Sequence, residues 1–171
     1  MSFTVEVRGI NAVVKRLKKL GDEVAKDADK AMGYSARRIE REAKKNVAVD
    51  TGDLRGSIHM IDKFLEKEVK TDKTHAPFVE FGTKSKVDVP QGLEQYAMQF
   101  KSTGGNFADL LESIKGWCSR NNIDAQFAFP IALRIAQNGV SARPFLFPAY
   151  FSELPKINGE LKKMVNERRK S

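Results

Sequence analysis

The sequence predicts an α+β fold, with a long N-terminal helix packed on a small antiparallel β-sheet, a helical insert and a C-terminal helix. Residues 3–7 alternate polar and apolar side chains, which is typical of a half-buried strand. Residues 11–45 carry apolar side chains at spacings of three and four, which indicates one long amphipathic helix. Short strand-like stretches follow residue 57, and helical spacing dominates beyond residue 84.

Length and composition favour one intracellular domain. A chain of 171 residues can bury a core without disulfides, so we expect a single domain over 1–171. The single Cys118 suits a reducing cytoplasm. The most apolar run, 127–136, contains Pro130 and Arg134 and is too short to span a membrane. The N-terminus lacks the pattern of a signal peptide, so we expect the protein to stay inside the cell that makes it.

The net charge of the chain is +8, and Lys and Arg concentrate at 15–19, 37–45 and 161–170. A basic surface favours polyanions as partners. The same cations are interleaved with Glu and Asp, which is typical of solvated helix faces. Only the end of the chain, at about 161–171, has the composition of a basic tail.

The long helix is expected to kink or break near Gly21, because glycine lowers helix stability by about 1 kcal/mol relative to alanine. After this helix, Asp50 and Thr51 can act as capping or turn residues. If a helical turn begins at Asp53, the acidic side chain of this residue is favourable in the first turn.

Three strands are predicted after this turn. Residues 57–61 and 64–71 favour two strands around a tight turn at 62–63. Residues 77–81 favour a third strand, which ends at Gly82. Together with the first strand they would complete the sheet.

A helical insert is predicted at about 84–125. It contains a short helix at 93–100 and a longer one at about 107–120. A third helix reaches residue 137 and begins either at Asp124 or at Pro130, since proline is tolerated in a first turn.

Three apolar segments with Gly or Pro stand out, and we name them the first, second and third motif segments: 49–58, 76–83 and 142–149. Such composition predicts a sharp turn followed by burial, in the protein's own core or in a neighbouring subunit. The C-terminal helix is predicted from Pro148, with Pro155 starting or kinking a helix within this segment.

The first motif segment contains Asp50-Thr51-Gly52, the tripeptide of aspartic proteases. Those enzymes need two carboxylates that share a proton at short range. Here the aspartate follows a basic helix and precedes Asp53, and no later strand supplies the expected support for a catalytic turn. The protease hypothesis is therefore disfavoured.

Other candidates for chemistry are equally weak. His59 and His75 do not have metal-ligand spacing with Cys118 or with a carboxylate. Gly104-Gly105 lacks the Lys and Ser/Thr of a phosphate-binding loop. The sequence thus predicts no catalytic residue, no cofactor and no metal.

Glu80 and Arg143 are isolated charges among apolar neighbours. Each suits a contact between subunits. Each also suits the exposed end of a strand, and the sequence leaves both interpretations open.

The three motif segments resemble the tail-component, or tail-completion, proteins of long-tailed double-stranded DNA bacteriophages. The residues that carry the resemblance are Val49, Asp50, Thr51, Gly52, Leu54, Ser57 and Ile58; His75, Ala76, Pro77, Val79, Glu80, Gly82 and Thr83; and Arg143, Pro144, Phe145, Leu146, Pro148 and Ala149. The expected family motif and candidate subunit interface comprises these residues without Val49, His75 and Ala76, and with Phe78 and Phe81 added.

The resemblance implies a non-enzymatic structural protein of the virion neck, assembled in the host bacterial cytoplasm, that completes the tail or joins head to tail. It implies a ring-shaped homo-oligomer, other neck or tail proteins as partners and no membrane. Contact with DNA in transit would follow if Lys and Arg line the ring. The alternative is a prophage-encoded basic nucleic-acid-binding protein, although the chain shows no recognition-helix, RNA-binding or zinc-finger motif.

Overall fold

The structure, a computed structural model, describes residues 3–6, 21–88, 91–99 and 105–168. In chain order the elements are β1 Phe3–Glu6, α1 Asp22–Asn46, α2 Asp53–Ser57, β2 His59–Lys63, β3 Glu66–Thr71, α3 Ala76–Phe81, α4 Glu94–Met98, α5 Phe107–Arg120, α6 Ala128–Asn138 and α7 Leu146–Arg168. Short 3-10 turns occupy Lys84–Lys86 and Ala125–Phe127.

The chain forms two compact units. The first comprises 1–47, 54–74 and 145–171, and the second comprises 48–53 and 75–144. The first unit contains the antiparallel sheet, in the strand order β1-β3-β2, and α1 packs on β2, on β3 and on α7. The predicted α+β fold with a long helix on a small sheet is therefore confirmed.

Helix α1 begins after Gly21, whose φ of 106° is left-handed and incompatible with a continuing helix. The break expected near Gly21 thus agrees with the observed helix start, while the predicted helical residues 11–20 lie outside the described part of the chain. One face of α1 is buried through small residues such as Ala28 and Ala36, which are 0% and 4% exposed. Small side chains let the sheet and α7 approach the helix closely.

The hairpin turn was predicted at Asp62 and Lys63, and this was wrong by two residues. The turn lies at Phe64 and Leu65, where Leu65 has a φ of 57°. Two contacts hold Leu65 in this conformation. Its N–H donates to Oδ1 of Asp29 at 2.6 Å, and its side chain is buried. A tertiary contact therefore decides the turn position, and the polar composition of 62–63 does not.

The predicted strand at 77–81 is also wrong, since these residues form α3. Pro77 occupies the second helical position, where its missing N–H costs nothing. Ala76 and Glu80, and likewise Pro77 and Phe81, are buried at a spacing of four residues, which is helical and not strand periodicity. Gly82 ends the helix at the position predicted for the end of the strand.

The helices of the insert agree with the sequence. The short helix and the helix at 107–120 are present as α4 and α5. The third helix begins at Ala128, between the two predicted starts: a 3-10 turn follows Asp124, and Pro130 lies in the first turn of α6. No helix among the described residues is long and apolar enough to cross a membrane.

Helix α7 begins at Leu146, slightly before the predicted Pro148, and continues through Pro155 to Arg168. The expected basic tail is therefore helical as far as Arg168, and residues 169–171 lie outside the described part. Leu161 and Met164 pack against the buried cluster around Ala28 and Leu65. The end of the chain thus contributes to the core of the first unit.

A buried lysine joins the hairpin to α1. The side chain of Lys67 is 4% exposed, and its ammonium donates to Oδ1 of Asp29 at 2.5 Å, to Asp62, and to the carbonyl of Lys63 at 2.9 Å. Burial alone would lower the pKa of Lys67, but the hydrogen bonds to Asp29 and Asp62 outweigh it, so this pKa is raised. The lysine stays charged and bridges two elements.

A second charged cluster joins α1 to α7. The Arg38 guanidinium donates to the buried Glu153, to Glu160 at 3.1 Å and to the hydroxyl of Ser35 at 2.9 Å. Lys156 donates to the other oxygen of Glu153 at 3.2 Å. Both oxygens of the buried carboxylate are therefore compensated.

We predict that Lys67→Met lowers the free energy of unfolding by about 2–3 kcal/mol, because it leaves the carboxylates of Asp29 and Asp62 without their shared cation. Lys63→Met is the matched control, since Lys63 pairs at 2.9 Å with Glu66 and both side chains are 57% exposed. The control should change stability by less than about 0.5 kcal/mol. Urea unfolding followed by circular dichroism measures both. Equal losses of unfolding free energy in the Lys67 and Lys63 variants would contradict the structural role of Lys67.

Candidate functional site

The turn of the first motif segment is held by an ion pair. Asp50 accepts from Nη2 of Arg120 at 2.6 Å and from Nε at 3.2 Å, and Arg120 is the last residue of α5. The hydrogen bond from Arg120 lowers the pKa of Asp50. Asp50 and Arg120 therefore form an ion pair that joins this turn to the end of α5.

Thr51 and Gly52 shape the same turn. The Thr51 hydroxyl donates to Oδ2 of Asp53 at 3.1 Å and accepts from the Asp53 N–H at 3.4 Å. Gly52 has a φ of 86°, which favours glycine. These residues therefore lead the chain into α2, as the sequence predicted.

The rest of the first motif segment lies in the first unit and anchors α2 to the sheet. Leu54 and Ile58 are buried, at 7% and 0% exposed. The Ser57 hydroxyl donates to the carbonyl of Leu54 at 2.8 Å and lies 2.6 Å from the hydroxyl of Thr71, the last residue of β3. The three side chains serve packing and local hydrogen bonding.

The second motif segment forms α3 and its C-terminal turn. Pro77 and Phe81 are buried, and Phe78 and Val79 are half-buried. Glu80 is 1% exposed, so the expectation that it marks an exposed strand end is wrong. Its carboxylate lies inside the protomer because helical spacing places it beside Ala76 on the buried face.

Backbone hydrogen bonds join the second motif segment to the start of the third. The Thr83 N–H donates to the carbonyl of Val140 at 2.9 Å, and the Val140 N–H donates to the Thr83 hydroxyl at 2.8 Å. The Arg143 N–H donates to the carbonyl of Val79 at 2.8 Å. We name this arrangement the motif crossing, which comprises 79–83 and 139–143.

Two glycines make the motif crossing possible. Gly82 has a φ of 75°, and a Cβ there would lie 2.4 Å from the carbonyl oxygen of Lys86 and 2.7 Å from the backbone nitrogen of Ala142. Gly139 has a φ of 83°, and a Cβ there would lie 2.1 Å from the carbonyl oxygen of Thr83. Both positions therefore exclude any side chain.

The residues after the second motif segment close the C-terminal end of α6. Lys84 donates to the carbonyl of Ala136, and the Ser85 hydroxyl donates to the carbonyl of Asn138 at 2.7 Å. The last carbonyls of a helix have no partner within it, and a cation there also complements the helix dipole. The motif crossing thus fixes where α6 ends.

The third motif segment divides between surface and core. Arg143, Pro144 and Pro148 are exposed. The apolar members are buried in the first unit: Phe145 at 0%, Leu146 at 1%, Phe147 at 8% and Ala149 at 2%. The sequence left open whether this segment is buried in the protein's own core or in a neighbouring subunit. These apolar side chains lie in the protein's own core.

Among the described residues, no group of three or more His, Cys, Asp and Glu lies close enough to hold a metal ion. Cys118 is buried on α5.

Sequence reasoning missed several partners of the motif residues. Arg120, Thr71 and Val140 lie 70, 14 and 57 positions from the residues that they contact. Periodicity and local composition give no signal for such pairs. Gly139 offered a weak signal, since a glycine after a helical stretch is typical of a helix end.

Residues 11–82 match the protein family described as Bacteriophage HK97-gp10, putative tail-component. No curated protein and no solved structure matches the chain. The matched range contains the whole first motif segment and the second as far as Gly82, which confirms the resemblance for that part. The third motif segment lies outside the matched range.

We predict that Gly82→Ala opens the motif crossing, because its Cβ would overlap backbone atoms that cannot move aside. The expected loss of local stability is at least about 2 kcal/mol. It should appear as faster hydrogen exchange at the Thr83 and Val140 amides. Gly56→Ala is the control, since nothing lies within 4 Å of a Cβ at this helical position. Unchanged exchange in the Gly82 variant would contradict the crossing.

Proposed function

We propose, from the match of residues 11–82 to a bacteriophage tail-component family, that this chain is a structural protein of the virion that acts at the head–tail junction. It completes the tail or joins head to tail, and it is assembled into the particle in the host cytoplasm. The family match is the observation that carries the proposal. The organisation of the motif residues supports it.

The motif residues act on conformation and not on a substrate. Asp50 is neutralised by Arg120, Ser57 bonds to Thr71, and Thr83 completes the motif crossing. The large apolar residues of the third segment fill a core. We therefore infer a protein without enzymatic activity, whose energetics are those of folding and interface burial.

The oligomer that fits this role is a ring, in which one patch of a subunit contacts a different patch on the next. Arg143, Pro144 and Pro148 are the exposed members of the third motif segment, so they are the ones available to such a contact. With a net charge of +8 per chain, a ring lined by Lys and Arg would face DNA in transit. A ring with an acidic lumen, seen by cryo-electron microscopy, would contradict the DNA contact.

The net charge also favours a second candidate, a prophage-encoded nucleic-acid-binding protein. Gel shifts at increasing salt distinguish the two functions, because the affinity of a protein for DNA falls steeply with salt when it rests on phosphate contacts. We expect only weak, salt-sensitive gel shifts from the isolated chain, since its cations are interleaved with acids. Tight DNA binding by a monomer would instead favour the second candidate.

Assembly can be tested with a surface variant that leaves the core intact. In a phage that lacks this gene, the wild-type chain supplied in trans should restore joined particles, and Arg143→Glu should restore at least about tenfold fewer, as expected for an interface cation. Only the backbone N–H of Arg143 bonds within the motif crossing, so folding should persist. Lys26→Glu, an exposed position on α1, is the charge-matched control. Joined particles from phage without any copy of the chain would overturn the proposed function.

A further inference from the structure

Helices α5 and α6 pack on each other but bury few apolar side chains. The buried hydrophobic residues of 105–140 are small: Cys118, Ala128 and Ala132. The larger ones are half-buried, as Ile114 and Trp117 on α5 and Ile131 and Ile135 on α6 are, or exposed, as Phe129 and Leu133 on α6 are. We name this pair of helices the insert hairpin. Exposed apolar side chains that gather on one face of a protein are typical of an interaction site.

The exposed part of this surface is ordered along one face. Phe129 and Leu133 are 55% and 40% exposed, and they lie four residues apart on α6, so they share a face. Phe127, at the preceding turn, is 50% exposed. The rings of Phe107 and Phe129 meet edge to face, at a centroid distance of 5.8 Å and an angle of 81°. This contact orients Phe129 before any partner binds, which lowers the entropy cost of binding.

The charge of the insert hairpin indicates which partner it suits. The chain as a whole carries +8, but residues 105–140 carry three cations and three anions: Lys115, Arg120, Arg134, Asp109, Glu112 and Asp124. DNA would require a basic face, and Arg120 is already paired with Asp50. Two copies of a basic chain repel each other overall, so a charge-balanced apolar face is where they can meet with least repulsion.

We infer that the insert hairpin is the surface through which copies of this chain associate, with Phe129 and Leu133 at its centre. The ring of the proposed function requires a contact of this kind between subunits, so the inference rests on the proposed function. Aromatic and aliphatic residues at the centre of an interface, surrounded by polar ones, are the usual carriers of affinity.

Sedimentation velocity of the full chain tests the inference. The wild type should sediment as a species heavier than the 19.2 kDa chain. Phe129→Asp combined with Leu133→Asp should weaken self-association at least about tenfold. Tyr34→Asp combined with Phe64→Asp is the matched control, since those residues are 61% and 60% exposed outside the hairpin. A wild type that is monomeric at its highest soluble concentration would overturn the inference, as would an unchanged oligomer in the hairpin variant.

A second measurement avoids the risk that two new charges unfold the helices. Leu133→Cys should react with maleimide more slowly as the chain concentration rises, whereas Phe64→Cys should react at a constant rate. Cys118 is buried and contributes little background. Equal, concentration-independent labelling at both positions would overturn the inference. If that happens while phage without the chain still fails to join heads and tails, the proposed function stands and only the assigned surface fails.

Discussion

The buried ammonium of Lys67 sets the geometry of the first unit. A buried cation costs several kcal/mol unless carboxylates and carbonyls surround it, and here Asp29 comes from α1 while Asp62 comes from β2. These contacts therefore favour one register of the hairpin on α1. The Asp29 carboxylate also accepts a hydrogen bond from the Leu65 N–H at the hairpin turn. One carboxylate of α1 therefore contacts both the turn of the hairpin and the buried Lys67 side chain.

The motif crossing plays the corresponding part in the second unit. It uses backbone groups and the hydroxyl of Thr83, and it requires glycine at 82 and 139. A motif of this kind preserves a backbone conformation. This explains how segments that contain Asp50-Thr51-Gly52 and an isolated Glu80 can belong to a structural protein, since one acid is ion-paired and the other is buried.

Periodicity predicted what local sequence controls. The prediction of α5, and of α1 from Asp22 onwards, is correct because their apolar residues recur over many turns. The six residues of α3 were assigned to a strand, because Phe78, Val79 and Phe81 favour strands and so short a segment shows little periodicity. Composition also could not tell core from interface for Phe145. Its burial depends on elements distant in sequence, which local patterns do not report.

We propose that this chain is a structural component of the virion at the head–tail junction. Cryo-electron microscopy of intact particles of the phage that encodes it would show where the chain lies. We expect a ring of density between portal and tail tube into which α1, the three-stranded sheet and α7 fit. Particles in which the chain is missing, or in which it lies only at the distal end of the tail, would contradict this role.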